Sequence, residues 1–339
     1  MQKLSNKQYK IGVFINMNKI WSLLFFFAVS ISVSAYNGIL LKNTPFHFTK
    51  AQKINKYTTR IPFKLVDRLI VIEGELKGKK GEFIFDTGSE KLLINKVHFS
   101  KLILHDDKIS KTSGILDYID NPIQKRIQQF SLKNLLLSNK KSDLIDLSHI
   151  EKAKKIKILG IIGYNILKDY EVFVDLYLNQ ITLTQIDKNG NVLGKDVYLE
   201  KIEDSISFHL KKHAIILDGF INKRKAVFAL DSGAEFNQLN NRSHKKALKY
   251  FYPKGRVVLK GASNKKLEVI SGNLFRVRLS KTLYFGPMKT ILTSFHNIDK
   301  AFGAKLDGIL GYDFFAQKRT IINYKKQKLY FIKYPIIRK

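Results

Sequence analysis

The sequence predicts a mainly β protein made of two similar lobes, because long segments repeat and most of each repeat has the pattern of strands. The segment VIEGELKGKKGEFIFDTGSE (71–90) aligns without a gap with ILDGFINKRKAVFALDSGAE (216–235). The segment HIEKAKKIKILGIIGYNIL (149–167) likewise aligns with NIDKAFGAKLDGILGYDFF (297–315), at a slightly larger offset. Self-similarity at a nearly fixed distance indicates a duplicated unit, and the change of offset predicts a small insertion in the second copy.

Each copy contains several predicted strands. RLIVIEGEL (68–76) and HAIILDGFI (213–221) are apolar and β-branched, and Lys- and Gly-rich turns follow them. YEVFVDLYLNQITLTQI (170–186) and RTIINYKKQKLYFIKY (319–334) each predict two strands joined by a polar turn. Short helices are expected in SHIEKAKKIK (148–157), NRSHKKALKYF (241–251) and HNIDKAFGA (296–304).

The repeat also predicts the domain organisation. We expect a signal peptide at 1–35, a first lobe at 36–186, an interlobe connection at 187–196 and a second lobe at 197–339. The connection is placed at DKNGNVLGKD because Gly and Asn are typical of such linking segments.

Residues 17–35, MNKIWSLLFFFAVSISVSA, predict a cleaved secretory signal peptide. A lysine precedes an apolar run, and small residues end the segment at Ala35. The alternative is an N-terminal membrane anchor, but the run is shorter than the roughly 20 residues that a spanning helix needs. We therefore expect a mature N-terminus at Tyr36 and export to the periplasm or beyond, whether translation starts at Met1 or Met17.

Composition excludes several classes of site. The chain has no cysteine, which excludes disulfides, thiolate zinc sites and a Cys nucleophile. The net charge is +32, but the lysines are spread along the chain and no nucleic-acid motif accompanies them. We expect no specific nucleic-acid partner, and only a weak attraction to anionic surfaces.

Two aspartates occupy equivalent places in the repeat. Asp86 ends an apolar strand in FIFDTGSE, and Asp231 ends one in VFALDSGAE. One Asp-Thr-Gly is an ordinary turn sequence, but a two-fold arrangement of the lobes would bring both turns to the centre. Two close carboxyl groups share a proton, so that one acts as a base on water and the other as an acid. This pattern predicts a catalytic pair.

The neighbours of the aspartates are expected to support the two turns. Gly88 and Gly233 permit a close approach of the backbones and leave N–H groups free to hold the carboxylates. Thr87 and Ser232 can brace the turns through their hydroxyl groups.

The residue after each glycine differs between the copies, being Ser89 in the first and Ala234 in the second. A hydroxyl that donates to its own aspartate lowers the pKa of that carboxyl. The difference predicts that Asp86 ionises more readily and that Asp231 holds the shared proton.

These residues resemble the aspartic peptidases of the pepsin and retropepsin type. In that group each lobe carries an Asp-Thr/Ser-Gly turn after apolar residues, and a hydrophobic-hydrophobic-Gly segment that packs beside it. Here these are FDTGS with GIIGY, and LDSGA with DGILGY, so the resemblance covers nearly the whole mature chain. It is greatest for bacterial two-repeat, retropepsin-like secreted proteins, and it implies two β-barrel lobes with the active site between them. It also implies that Gly163 and Gly311 pack beside the catalytic turns.

The resemblance implies flaps that close over a bound peptide. The candidates are KTSGILDY (111–118) and KGASNKKL (260–267), with Gly114 and Gly261 as flexible points and Tyr118 as the aromatic flap residue. Ordinary hairpins at both places are the alternative.

The expected function is that of a secreted aspartic endopeptidase, which hydrolyses a peptide or protein substrate without a metal or cofactor. The two lobes form a pseudo-dimer within one chain, so a monomer is expected. The alternatives are an inactive peptide- or surface-binding protein that keeps the fold, and a Lys-rich structural protein. Glu90 and Glu235 favour an inactive protein if they point at the pair. His209 and His213 are not expected to bind a metal, because a strand places them roughly 13 Å apart.

Overall fold

The computed structural model describes residues 51–99, 112–113, 118–119, 123–194, 197, 201–260, 266–296, 298–299 and 304–332. The predicted signal peptide and its cleavage site lie outside these residues. No helix within the described ranges is long and apolar enough to cross a membrane.

The described residues form mostly strands, as predicted. Those of the first half are β1 Gln52–Asn55, β2 Thr58–Pro62, β3 Lys64–Val66, β4 Leu69–Leu76, β5 Lys79–Phe85, β6 Leu92–Asn95, β7 Thr112–Ser113, β8 Tyr118–Ile119, β9 Ile123–Leu132, β10 Leu135–Ile145, β11 Ile158–Ile162, β12 Tyr170–Asp175 and β13 Gln180–Gln185. Those of the second half are β14 Ile202–Ser207, β15 His209–Lys211, β16 Ala214–Ile221, β17 Arg224–Leu230, β18 Asn237–Asn240, β19 Phe251–Lys260, β20 Lys266–Leu274, β21 Val277–Arg278, β22 Tyr284–Phe285, β23 Met288–Thr293, β24 Gly308–Leu310, β25 Arg319–Asn323 and β26 Lys328–Ile332.

The helices are short. They are a 3₁₀ turn at Lys96–His98 and the α-helices α1 Ser148–Lys154, α2 Tyr164–Leu167, α3 Lys245–Leu248 and α4 Tyr312–Gln317. α1 and α3 lie within two predicted helical segments, whereas the third predicted segment, 296–304, lies partly outside the described residues. α2 and α4 were not predicted, because each has at most six residues and follows a glycine with no side-chain cap.

The first half contains a closed barrel of six strands. Its sheet has the order β3-β4-β5-β11-β6-β10-β9, and β9 returns to pair with β4. Apolar residues are buried on both faces of β4. Ile70, Ile72 and Leu76 belong to the main buried cluster, and Leu69 and Val71 belong to a second one. The barrel closes because β9 is one continuous strand of 10 residues that reaches from β10 to β4.

The second half forms only a half-barrel. The expected barrel is therefore found in the first half, and the second half differs from it. Its sheet has the order β19-β20-β23-β18-β24-β17-β16-β21-β22, with β15 paired to β16. Here the place of β9 is taken by two strands, β20 beside β23 and β21 beside β16. Arg276 lies between them in the left-handed region, with φ 56°, which breaks the strand that would close the barrel.

A third sheet joins the two halves. Its order is β1-β2-β13-β12-β25-β26-β14, in which β12 of the first half pairs antiparallel with β25 of the second. The predicted pairs β12–β13 and β25–β26 are both hairpins of this sheet. The main cluster of buried apolar side chains also includes residues from both halves, such as Phe83, Phe130, Phe228 and Phe314.

We expect the buried ion pair of the joining sheet to stabilise the fold strongly. Arg319 Nη2 donates to Asp175 Oδ2 at 2.7 Å, and these side chains are 2% and 0% exposed. Arg319→Met leaves a buried carboxylate without this partner, which should lower the free energy of unfolding by about 3–5 kcal/mol. Urea denaturation measures the change.

The control is Arg256→Met. Arg256 pairs with Glu268 at 3.0 Å, but the side chains are 69% and 55% exposed, so the loss should be about 0–1 kcal/mol. Equal losses for the two variants would contradict the prediction.

Candidate active site

The two Asp-Thr/Ser-Gly turns begin where a parallel pair of central strands ends. β5 runs parallel to β11, and β17 runs parallel to β24. The backbone N–H of Asp86 donates to the carbonyl of Ile162 at 3.0 Å, and that of Asp231 donates to Leu310 at 2.9 Å. The repeat therefore gives both aspartates the same position on equivalent strands.

Gly163 and Gly311 pack directly against these turns. A Cβ on Gly163 would lie 2.6 Å from the carbonyl oxygen of Ser89, and one on Gly311 would lie 2.3 Å from that of Ala234. The next residue in each half donates its N–H to the same carbonyl, at 2.8 Å and 3.0 Å. Only glycine leaves room for this contact, which is the arrangement that the resemblance implied.

The two turns are joined to each other by reciprocal hydrogen bonds. The N–H of Thr87 donates to Ser232 Oγ at 3.0 Å, and the N–H of Ser232 donates to Thr87 Oγ1 at 2.9 Å. The Ser232 hydroxyl also donates to the carbonyl of Phe85 at 3.1 Å. Thr87 and Ser232 are buried, so these bonds hold the turns without competition from water.

Each carboxyl group rests against the glycine of the opposite turn. A Cβ on Gly88 would lie 2.5 Å from Cγ of Asp231, and one on Gly233 would lie 2.5 Å from Cγ of Asp86. The side chains of the two aspartates are hydrogen-bonded to each other. The structure thus brings together both predicted catalytic residues.

Backbone N–H groups hold the carboxyls in place. Asp86 Oδ1 accepts from the N–H of Gly88 at 2.7 Å and from that of Ser89 at 3.1 Å. Asp231 Oδ1 accepts from the N–H of Gly233 at 2.8 Å. Asp86 is 1% exposed and Asp231 is 3% exposed.

The environment favours a proton on the pair. Burial raises the pKa of Asp86 well above its usual range, and the charge of Asp231 and the hydrogen bond to it raise this pKa further. Burial also raises the pKa of Asp231, while the hydrogen bond from Asp86 lowers it. Burial therefore favours a proton shared by the two carboxyls.

The structure lacks the contact on which the expectation that Asp231 holds the proton was based. The expectation required the Ser89 hydroxyl to donate to Asp86, but Ser89 Oγ donates to the carbonyl of Lys91 at 3.0 Å instead. A hydroxyl takes whichever acceptor the local backbone presents, and here the chain two residues on presents a carbonyl.

The second turn is flanked by paired charges. Glu235 is buried and forms an ion pair with the buried Lys154 of α1. Arg68 of the first half donates to Asp313 at 3.0 Å and stacks over the ring of Phe236 at 4.6 Å. Glu235 is thus bound to a cation beside the turn, which answers the concern that it might disturb the aspartates.

The first turn is flanked by His213, a contact that the sequence analysis missed. His213 is 5% exposed, and its Nε2 lies 3.0 Å from the carbonyl oxygen of Gly88. Glu90 acts on His213 electrostatically. If the alignment of 71–90 with 216–235 is extended by three residues toward the N-terminus, Arg68 aligns with His213. This match was the signal in the sequence that could have identified His213 as a residue beside a turn.

Tyr324 lies in the core behind the pair. It is 2% exposed, and its ring meets that of Tyr164 edge-to-face at 5.2 Å. Burial raises the pKa of the Tyr324 hydroxyl, and the charges of Tyr164, Asp86 and Asp231 add to this effect. The hydroxyl is therefore neutral whenever the pair carries a charge.

The flap candidates fall largely outside the described residues. β7 and β8 pair as a hairpin, Ser113 opposite Tyr118, but Gly114 and the side chain of Tyr118 are not among them. Gly261 is also outside, between the paired ends of β19 and β20, where Lys260 lies opposite Lys266.

Within the ranges given above, no three His, Cys, Asp or Glu side chains are grouped so that they could hold a metal ion. Comparisons with protein-family models and with curated proteins find no match to this chain.

Replacing Gly88 should force the turns apart. We expect Gly88→Ala to lower the free energy of unfolding by about 1–3 kcal/mol, because the added methyl group overlaps the Asp231 carboxyl. Gly255→Ala is the control, since a Cβ there meets nothing within 4 Å. The control should be nearly neutral, and thermal unfolding compares the two; a Gly88→Ala protein as stable as the control would show that the turns do not meet in solution.

The pair should also make stability depend on pH. A carboxyl with a raised pKa contributes stability that is complete below the unfolded value of about 3.9 and is lost as pH rises through the folded value. Asp86→Asn mimics the neutral carboxyl, so the variant should gain stability over the wild type as pH rises from about 4 to about 7. Urea denaturation across this range measures the difference.

Asp187→Asn serves as the control. The N–H of Asn191 lowers the pKa of Asp187, so the stability that this carboxyl contributes is complete above its unfolded value of about 3.9. The difference between this variant and the wild type should therefore stay nearly constant from about pH 4 to about pH 7. Parallel trends for the two variants would contradict the assignment of a raised pKa to the pair.

Proposed function

We propose that the protein is an aspartic endopeptidase in which Asp86 and Asp231 activate a water molecule against a peptide bond. The proposal is carried by one observation: two buried, hydrogen-bonded carboxyls, each resting against the glycine of the opposite turn. A structural role does not require two acids to share a proton in a buried site, whereas general acid–base catalysis by a pair of carboxyl groups does.

The raised pKa of Asp86 supports a division of roles. In this division Asp231 is the ionised member and accepts a proton from the attacking water. Asp86 donates its proton to the carbonyl oxygen of the substrate, which removes negative charge from the developing tetrahedral centre. The reciprocal bonds of Thr87 and Ser232 keep both carboxyls at the distance that this transfer needs.

We also propose the finer architecture on the same grounds. The barrel and the half-barrel are two retropepsin-like lobes, 36–186 and 197–339, with the catalytic pair between them. Flaps at 111–118 and 260–267 close over a peptide or protein substrate. Residues 1–35 direct export and are removed.

A peptide-binding protein without turnover is the second candidate. It is favoured by the low exposure of both carboxyls, 1% and 3%, which limits how closely a scissile bond approaches them. Such a protein would bind unfolded polypeptide tightly and leave it uncut.

Cleavage of an unfolded protein or peptide mixture tests the proposal, with Asp86→Asn, Asp231→Asn and the double variant beside the wild type. Each single variant removes one of two required roles, so activity should fall by at least about 10²-fold. Because the pair acts as a unit, the double variant should be no worse.

Asp187→Asn is the control and should cleave normally. Pepstatin, which mimics the tetrahedral intermediate, should block the wild type. Substantial turnover by either folded single variant overturns the assignment, and binding without cleavage by the wild type favours the second candidate.

A further inference from the structure

In the contact between His213 and the first turn, the imidazole is the hydrogen-bond donor. His213 lies in the tight connection between β15 and β16, and its Nε2 is 3.0 Å from the carbonyl oxygen of Gly88. A carbonyl only accepts hydrogen bonds, so Nε2 carries the hydrogen and donates it. Nδ1 is buried and has no hydrogen-bond partner in the described part of the chain.

The acceptor belongs to the peptide that holds Asp86. The Gly88 carbonyl and the Ser89 N–H are the two ends of one peptide group, and that N–H donates to Asp86 Oδ1 at 3.1 Å. A hydrogen bond accepted by the carbonyl polarises the amide and strengthens the bond that its N–H donates. His213 therefore acts on the Asp86 carboxylate through a single peptide group.

Among the residues that the structure describes, none forms an equivalent relay at the second turn. The matching position of the repeat is Arg68, whose guanidinium reaches Asp313 and, at 3.5 Å, the carbonyl of Glu235. The N–H of Ala234 donates to the backbone carbonyl of Asp231 at 3.2 Å. The support of the first turn by an imidazole is thus specific to Asp86.

We propose that His213 is a positioning residue for Asp86, which orients and polarises the Gly88–Ser89 peptide so that it stabilises the carboxylate form of Asp86. The proposal rests on the proposed function, in which Asp86 becomes a carboxylate when it gives its proton to the substrate. The relay then lowers the barrier of that step and leaves the binding of substrate nearly unchanged.

The surroundings favour the neutral imidazole. Burial lowers the pKa of His213, and the charge of Lys212 acts in the same direction. Glu90 and the hydrogen bond to Gly88 oppose this shift. A neutral ring with one N–H suits the task, because the Gly88 carbonyl needs only one donor.

Three variants test the proposal. His213→Leu removes the donor at similar volume. His213→Gln carries a neutral amide N–H that can reach the same carbonyl, so it should restore the function. His209→Leu is the control on neighbouring β15, where His209 is exposed. Urea denaturation establishes that each variant is folded.

The first measurement does not depend on catalysis. The apparent pKa values of the pair are followed by carbon NMR of labelled Asp side chains, with Asp86→Asn identifying the resonances. His213→Leu should raise the value for Asp86 by about half a unit to one unit, because a stabilising contact to the charged form is weakened. His213→Gln and His209→Leu should leave it near the wild-type value.

The second measurement uses peptide cleavage. His213→Leu should lower kcat about five- to tenfold, as expected for one lost hydrogen bond, with little change in KM and partial recovery in His213→Gln. A folded His213→Leu protein with an unchanged Asp86 pKa overturns the positioning role, even if the protein is a peptidase. A wild type that cleaves nothing overturns the proposed function, and the NMR result then still decides whether His213 acts on Asp86.

Discussion

The reciprocal hydrogen bonds between Thr87 and Ser232 fix one turn against the other, and the geometry of the candidate site depends on them. Each bond joins a backbone N–H of one half to a hydroxyl of the other, so neither half satisfies its own turn. A buried donor without a partner costs about 1–3 kcal/mol. The halves must therefore stay together, and the joining sheet between β12 and β25, with its shared core, provides this.

The acidic residues near the two turns have two different kinds of partner. Glu235 and Asp313 lie beside the second turn, and Lys154 and Arg68 pair with them. Asp86 and Asp231 instead accept hydrogen bonds from backbone N–H groups and are hydrogen-bonded to each other. Neither forms an ion pair with a basic side chain in the described ranges. A cation would lower both pKa values and remove the shared proton. Because the other acids are paired with cations and the two aspartates are not, the aspartates can share a proton.

The sequence predicts the parts of this structure that depend on local pattern. Alternating apolar runs, the repeat and the duplicated turn residues place Asp86 and Asp231 on equivalent strands, and the structure brings them together. Contacts that depend on three-dimensional choice were not predictable. The Ser89 hydroxyl donates to one of several possible acceptors, and His213 reaches the first turn from the other half. Arg276 breaks a strand through its left-handed backbone conformation, which the Lys- and Arg-rich sequence does not predict.

Duplication explains why the site is nearly symmetric, and divergence explains why it is not fully so. Two equal carboxyls would share the proton equally, although acid–base catalysis assigns them different tasks. The repeat position that flanks each turn holds Arg68 in one copy and His213 in the other. The arginine reaches outward to Asp313, whereas the imidazole reaches inward to the peptide that holds Asp86. The change of residue type at this repeat position thus helps to give two equivalent carboxyls different surroundings, while the hydrogen bonds that join their turns are kept.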